Sequence, residues 1–194
     1  KIGVDIVNRM PYVETADFLT WSPDKNKKHV TLGNPPFGVR GAIALAFLNR
    51  SLLWSDYVGF ILPMSFLSNG KGTNMKRVQN GHLVFSKVLE KESFISPDNG
   101  KTVQVNTLFQ VWKQGDGPSF FKEYDVSDIA EIYTVCSSPD RLCGLDKLEK
   151  YDFFVSSSYF GSSLKSVNTF DEVKYGSGYG VIFKEKIIKD KLMS

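Results

Sequence analysis

His29-Val30-Thr31-Leu32-Gly33 runs directly into Asn34-Pro35-Pro36-Phe37. The first five residues read as an apolar strand, and the paired prolines stop it. From Gly41 to Trp54 the spacing is helical, with Ile43, Ala46, Phe47 and Trp54 on one face. Tyr57 to Leu62 is a second apolar strand, ended by Pro63. Strand, helix and strand in that order read as a right-handed parallel crossover, hence an α/β sheet.

Upstream, Ile2 to Ile6 is a short apolar run of the buried, parallel-sheet type carrying Asp5. Tyr12-Val13-Glu14 leads to Ala16-Asp17-Phe18-Leu19, a second strand end bearing an acid. The run begins at Lys1 in what reads as mid-strand, so the expectation is a sheet that lacks an N-terminal piece. Downstream of Phe66 comes a polar, glycine-bearing loop, Ser68 to Asn74, which includes Lys71, and then the basic pair Lys76-Arg77. Val84 to Leu89 and Val103 to Trp112 read as an antiparallel edge hairpin, separated by a loop with Pro97-Asp98-Asn99-Gly100. Lys113 to Pro118 is the best boundary. It divides a core of residues 1–117 from a small C-terminal extension of residues 118–194, where Tyr151 to Phe160 and Val173 to Phe183 are the expected strands.

An apolar content of 42% with 23% charged residues excludes disorder as the default. The net charge of +3 permits a nucleic-acid partner without indicating one. No run reaches the roughly 18 apolar residues of a membrane span, and there is no signal-peptide pattern. Cys136 and Cys143 have no Cys or His beside them to complete a metal set. They read as free thiols of a reducing compartment: cytoplasmic, or nucleoid or nuclear with a DNA partner.

Asn-Pro-Pro alone is an ordinary turn signal. Its setting adds to that: it follows an apolar strand, two strand ends before it carry acids, and a helix–strand unit comes next. Ligands gather at the C-terminal edge of parallel strands. There the side-chain carbonyl of Asn34 and the main-chain carbonyl of Pro35 would be two fixed acceptors, with Phe37 against a flat group. Such acceptors suit an amino nitrogen whose lone pair is delocalised into a ring, as at adenine N6. Holding its N–H bonds favours a more pyramidal nitrogen, and alignment with a methyl donor supplies much of the rate. No proton-abstracting side chain is needed, which suits a chain with only two histidines, neither beside the motif.

Ala16-Asp17-Phe18-Leu19-Thr20-Trp21 followed by Leu32-Gly33-Asn34-Pro35-Pro36-Phe37-Gly38 resembles the gamma-class N6-adenine DNA methyltransferases of restriction–modification systems, the TaqI methyltransferase type in particular. The similarity continues through Phe60-Ile61-Leu62-Pro63-Met64-Ser65-Phe66-Leu67 to Val105-Asn106-Thr107-Leu108-Phe109, covering roughly residues 1–115. The resemblance implies a Rossmann-like sheet, S-adenosylmethionine as cofactor, and methyl transfer to adenine N6 of a base flipped from the duplex. It makes Asn34, Pro35, Pro36 and Phe37 the catalytic turn. Asp5 matches the acid that holds the cofactor's ribose hydroxyls, Asp17 the acid that binds its adenine amino group, and Phe18 the apolar neighbour. Phe94 matches a second aromatic against the flipped base, while Lys76 and Arg77 are candidates for phosphate contact.

The plainer alternatives are that Asp5 and Asp17 cap turns, that Phe94 is a core or loop aromatic, and that the lysines are solvated. The glycine-rich loop expected to cradle the cofactor's methionine moiety is missing, to be supplied by an N-terminal segment or a second chain. Tyr175-Gly176-Ser177-Gly178-Tyr179-Gly180 imitates such a loop, but no acidic strand follows it, so a glycine-bearing hairpin or bulge is expected. Other readings are an RNA adenine or protein glutamine methyltransferase, or a methyltransferase-like chain that binds nucleic acid or a partner without catalysis.

Overall fold

The computed structural model describes residues 1–7, 10–24, 26–68, 72–96, 99–121, 125–157 and 165–185. The chain divides into two units, Lys1–Lys122 and Glu123–Ser194, where the sequence had set its boundary at residues 117 and 118.

In the first unit, β1 (Gly3–Asp5) and β2 (Val13–Thr15) pair in parallel as a two-stranded sheet. The expectation of a buried first strand fails, since Ile2 and Ile6 are 60% and 71% exposed. So small a ribbon has too little area to cover its own faces. β3 (His29–Gly33) coincides with the expected strand. After α1 (Ala42–Ser51), β4 (Ser55–Pro63) lies parallel to β3, with Val30 beside Tyr57 and Gly33 beside Phe60.

The buried face of α1 differs from the one its spacing suggested. Ala44, Leu45 and Leu48 are buried, while Ile43 and Ala46 are exposed. Phe47 and Trp54 are engaged elsewhere: Phe47 stacks on Phe18 with ring centroids 4.9 Å apart, and Trp54 meets Phe18 and Trp21 edge-on. The leucines are left for the sheet.

Next come β5 (Gly81–Val88), the short hairpin β6 (Phe94–Ile95) and β7 (Thr102–Val103), and β8 (Thr107–Gln114). β8 inserts antiparallel between β4 and β5, giving the order β3-β4-β8-β5. The two late strands do pair antiparallel at the end of the sheet, as expected, with β5 outermost and β8 against β4. Leu108, Gln110 and Trp112, two residues apart, put one face of β8 in the interior, while Phe109 and Val111 on its other face are half-buried. Leu108 and Trp112 join a core that includes Leu48, Leu52, Val58, Leu62 and Phe66.

The second unit is an antiparallel sheet of β9 (Ala130–Ser138), β10 (Arg141–Cys143), β11 (Phe153–Ser156), β12 (Ser166–Val167) and β13 (Ser177–Phe183), in the order β10-β9-β13-β11-β12. The sequence reading missed β9, and residues 158–160 of the expected strand Tyr151 to Phe160 lie outside the described residues. The glycine-rich run is a turn with positive φ at Tyr175 and Gly176 that leads into β13. Its glycines admit neighbours: a Cβ at 180 would stand 2.6 Å from the Tyr151 ring, and one at 178 would stand 2.3 Å from the Val155 carbonyl oxygen. Val135, Tyr151, Phe154 and Val173 form this unit's core.

A capping box leads from β12 toward β13. The Thr169 backbone N–H and hydroxyl donate to the Glu172 carboxylate at 3.1 and 3.0 Å. These bonds, the backbone one foremost, hold the Glu172 carboxyl below its ordinary range. A depressed folded-state value means that this stabilisation is present above the unfolded-state value and lost as pH falls through the folded one. Glu172→Gln is therefore expected to flatten the acid limb of the second unit's stability, read from denaturation midpoints between about pH 3 and 6, the range in which carboxyl groups titrate. An unchanged acid limb would contradict this assignment.

The described residues are thus mixed α/β, with several sheets, few helices and no closed barrel among them. No helix among the described residues is long and apolar enough to cross a membrane.

Candidate functional site

The end of β1, the turn after β2 and the turn after β3 open on one cleft of about 420 Å³. β1 contributes Asp5, the segment after β2 contributes Asp17 and Phe18, and the turn after β3 contributes Asn34, Pro35 and Pro36. Phe47 of α1 and Phe60 of β4 also line it. The three expected cofactor residues and three of the four tetrapeptide residues therefore share a single cleft.

Each acid is oriented by its own turn. Asp5 Oδ1 accepts from the Val7 N–H at 3.0 Å, and Asp17 Oδ1 accepts from the Leu19 N–H at 2.9 Å. These are the caps that strand-end carboxylates make in any protein. Each uses one oxygen, and Oδ2 of both residues has no partner among the described residues. The turn-capping role and an acceptor role for a ligand are therefore compatible.

The loop bearing Asp17 is tied to α1 by Arg50. Its guanidinium donates to the Thr20 and Trp21 carbonyls at 3.2 and 2.9 Å and to Ser22 Oγ at 2.9 Å, and it lies 4.9 Å from the Trp54 ring centre. The sequence reading passed over Arg50. Its place in the last turn of an expected helix was the only available signal.

Asn34 is exposed, and its side chain makes no hydrogen bond with the described residues. Pro35 is buried, and its carbonyl likewise has no donor among them. Two unused acceptors thus belong to adjacent residues at the end of a parallel strand. Phe37 does not line the cleft: it packs on the first unit's core, and its carbonyl accepts from Ile43 and Ala44 N–H at 3.2 and 3.4 Å.

What fixes this turn is a residue read only as loop. Asn74, 6% exposed, donates from Nδ2 to the Arg40 carbonyl at 2.9 Å and to Ser65 Oγ at 2.8 Å. Between turn and helix, Gly38, Arg40 and Gly41 have φ of 66°, 53° and 80°. A Cβ on Gly41 would stand 2.6 Å from Asn74 Nδ2 and 3.1 Å from Pro63 Cγ. Gly41→Ala is expected to cost about 1–2 kcal/mol from the left-handed backbone alone, with the displaced Asn74 adding to that. Chemical denaturation measures it, and an unchanged midpoint would exclude the clamp.

The three candidate substrate residues are not among those lining the cleft. Phe94 is half-buried in the β6–β7 hairpin. Lys76 and Arg77 are exposed in a short 3-10 turn; Lys76 borders a separate hollow with Met75, His82 and Trp112, and the Arg77 carbonyl accepts from Asn49. Lys71 lies outside the described residues. Among the described residues, no group of His, Cys, Asp and Glu is placed to hold a metal ion.

No protein-family model, curated protein or solved structure matches the chain.

Proposed function

We propose that the chain carries the amino-methylating half of an S-adenosylmethionine-dependent N6-adenine DNA methyltransferase. The observation behind this is the shared cleft, with the unused acceptors of Asn34 and Pro35 beside Asp5 and Asp17 at the C-terminal ends of parallel strands. The parallel β3–α1–β4 unit, followed by antiparallel β8, supports reading the sheet as Rossmann-like.

S-adenosylmethionine, when bound, supplies an electrophilic methyl on a sulfonium. The chain's residues do the rest. Asp5 and Asp17 would hold the cofactor through their free Oδ2 atoms, against the apolar wall of Phe18, Phe47 and Phe60. Asn34 Oδ1 and the Pro35 carbonyl would accept the two N–H bonds of the adenine amino group and aim its nitrogen. Pro35 and Pro36 keep those acceptors in place before the base arrives.

The residues lining the clefts also bear on what completes the site. Ile2 to Val4 line a cleft of about 620 Å³ with His29 to Leu32. Val4 to Ile6 line the 420 Å³ cleft with Thr31 to Asn34. Low numbers meet low numbers and high meet high, so β1 and β3 run the same way. Among the described residues, each is paired on one edge only. A further parallel strand between them, from sequence outside residues 1–194 or from a second chain, would bring its following loop to Asp5 and Asn34. That is where the methionine moiety needs a cradle. The same unpaired edges favour a second reading, a methyltransferase-like chain that binds a partner without catalysis.

Titration calorimetry with S-adenosylmethionine separates the two readings, using the natural protein with any sequence preceding Lys1 retained. Binding is expected, weakened about ten- to a hundredfold in Asp17→Ala by loss of a charge-assisted hydrogen bond. No binding by the wild type, or equal binding by the variant, would remove the catalytic reading.

A further inference from the structure

Cys136 on β9 and Cys143 on β10 are the chain's only cysteines, and the antiparallel register sets them directly opposite one another. Opposed residues share one face of a sheet. They stand about 4.5–5.5 Å apart at Cα, inside the roughly 4.4–6.8 Å that a disulfide spans. The register is firmly set, because only Pro139 and Asp140 separate the two strands. Both thiols are free, and they are not equivalent: Cys136 is 5% exposed, whereas Cys143 is half-buried.

We propose that this pair is a site of reversible oxidation, a dithiol that reacts with small-molecule disulfides of the glutathione type. The Cys143 thiolate, the more accessible, attacks one sulfur of the disulfide. The S–S bond breaks and one glutathione thiolate leaves. Cys136, reached by its neighbour but not by a tripeptide, then attacks Cys143 Sγ as its thiolate and displaces the second glutathione. The protein gives up two electrons and two protons, and the glutathione disulfide becomes two thiols. The new bond staples β10, an edge strand of three residues, to β9. The plainer alternative is two unreactive thiols, with Cys136 serving as a small buried hydrophobe.

The test is to incubate the folded protein with oxidised glutathione, quench with acid, denature, alkylate with iodoacetamide and measure the intact mass. The expected product is lighter by two hydrogens and takes no alkyl group. Tryptic cleavage after Arg141 should leave its two halves joined until dithiothreitol releases them. Cys136→Ser should instead accumulate one glutathione on Cys143. Two alkylated cysteines in the wild type, glutathione retained on either cysteine, or a disulfide between two chains would each overturn the proposal.

Discussion

Replacing Asn34 by alanine is expected to lower the rate constant of methyl transfer by about 10²–10³-fold, the range for removing one prearranged group that meets charge developing in the transition state. As the amino nitrogen attacks, its N–H bonds become more acidic, so an acceptor on them gains strength between ground state and transition state. Only such differential contacts accelerate the chemical step. KM for the nucleic acid should therefore change little while kcat falls. The stability of the chain should also be unaffected, because the Asn34 side chain is exposed and makes no hydrogen bond with the described residues. Single-turnover methyl transfer, paired with a denaturation curve, reads both quantities. A variant that loses activity only because it unfolds would contradict the assignment, as would one that keeps full activity.

The second large effect lies in the core. Gln110, fully buried on β8, donates from Nε2 to the Phe66 carbonyl at 3.1 Å and to Ser86 Oγ at 3.3 Å, while its Oε1 accepts from Trp112 Nε1 at 3.2 Å. One amide thereby joins β8, β5 and the turn after β4. Gln110→Leu keeps a similar volume but strands a buried carbonyl and a buried indole N–H. At about 1–3 kcal/mol for each orphaned group, the loss should be about 2–6 kcal/mol. Adding Trp112→Phe to Gln110→Leu removes one orphan, so the double variant should be more stable than the sum of the two single changes. Simple additivity in urea denaturation would show that the network is not coupled.

How far the sequence revealed all this differs from element to element. β3 and its stop were plain because prolines end a ladder wherever they fall, and the parallel return of β4 followed from the strand–helix–strand order. The inward face of α1 was misread because the leucine and aromatic stripes are both apolar. Only the neighbours decide which stripe meets the sheet, and Phe18 and Trp21 claim the aromatic one. The position of β8 between β4 and β5 is a long-range pairing that local spacing does not encode. β9 escaped because Thr134, Ser137 and Ser138 dilute its apolar pattern.

The candidate site was legible where it lies at strand ends. Asp5, Asp17 and Asn34 are far apart in sequence, and the parallel strands bring them into one cleft. Phe94 was not legible, since its role depends on where a hairpin lies. Nor was Asn74, a polar residue in a polar segment whose burial appears only once Gly41 and Ser65 are in place.

The most direct measurement is to identify the methylated product. The natural protein, with any sequence preceding Lys1 retained, is incubated with methyl-labelled S-adenosylmethionine and duplex DNA, with RNA and a glutamine-bearing release factor in parallel, and each product is digested and separated. The expected result is label in N6-methyl-2′-deoxyadenosine, lost in Asn34→Ala. Label confined to glutamine or RNA, label that survives Asn34→Ala, or no transfer to any acceptor would contradict it.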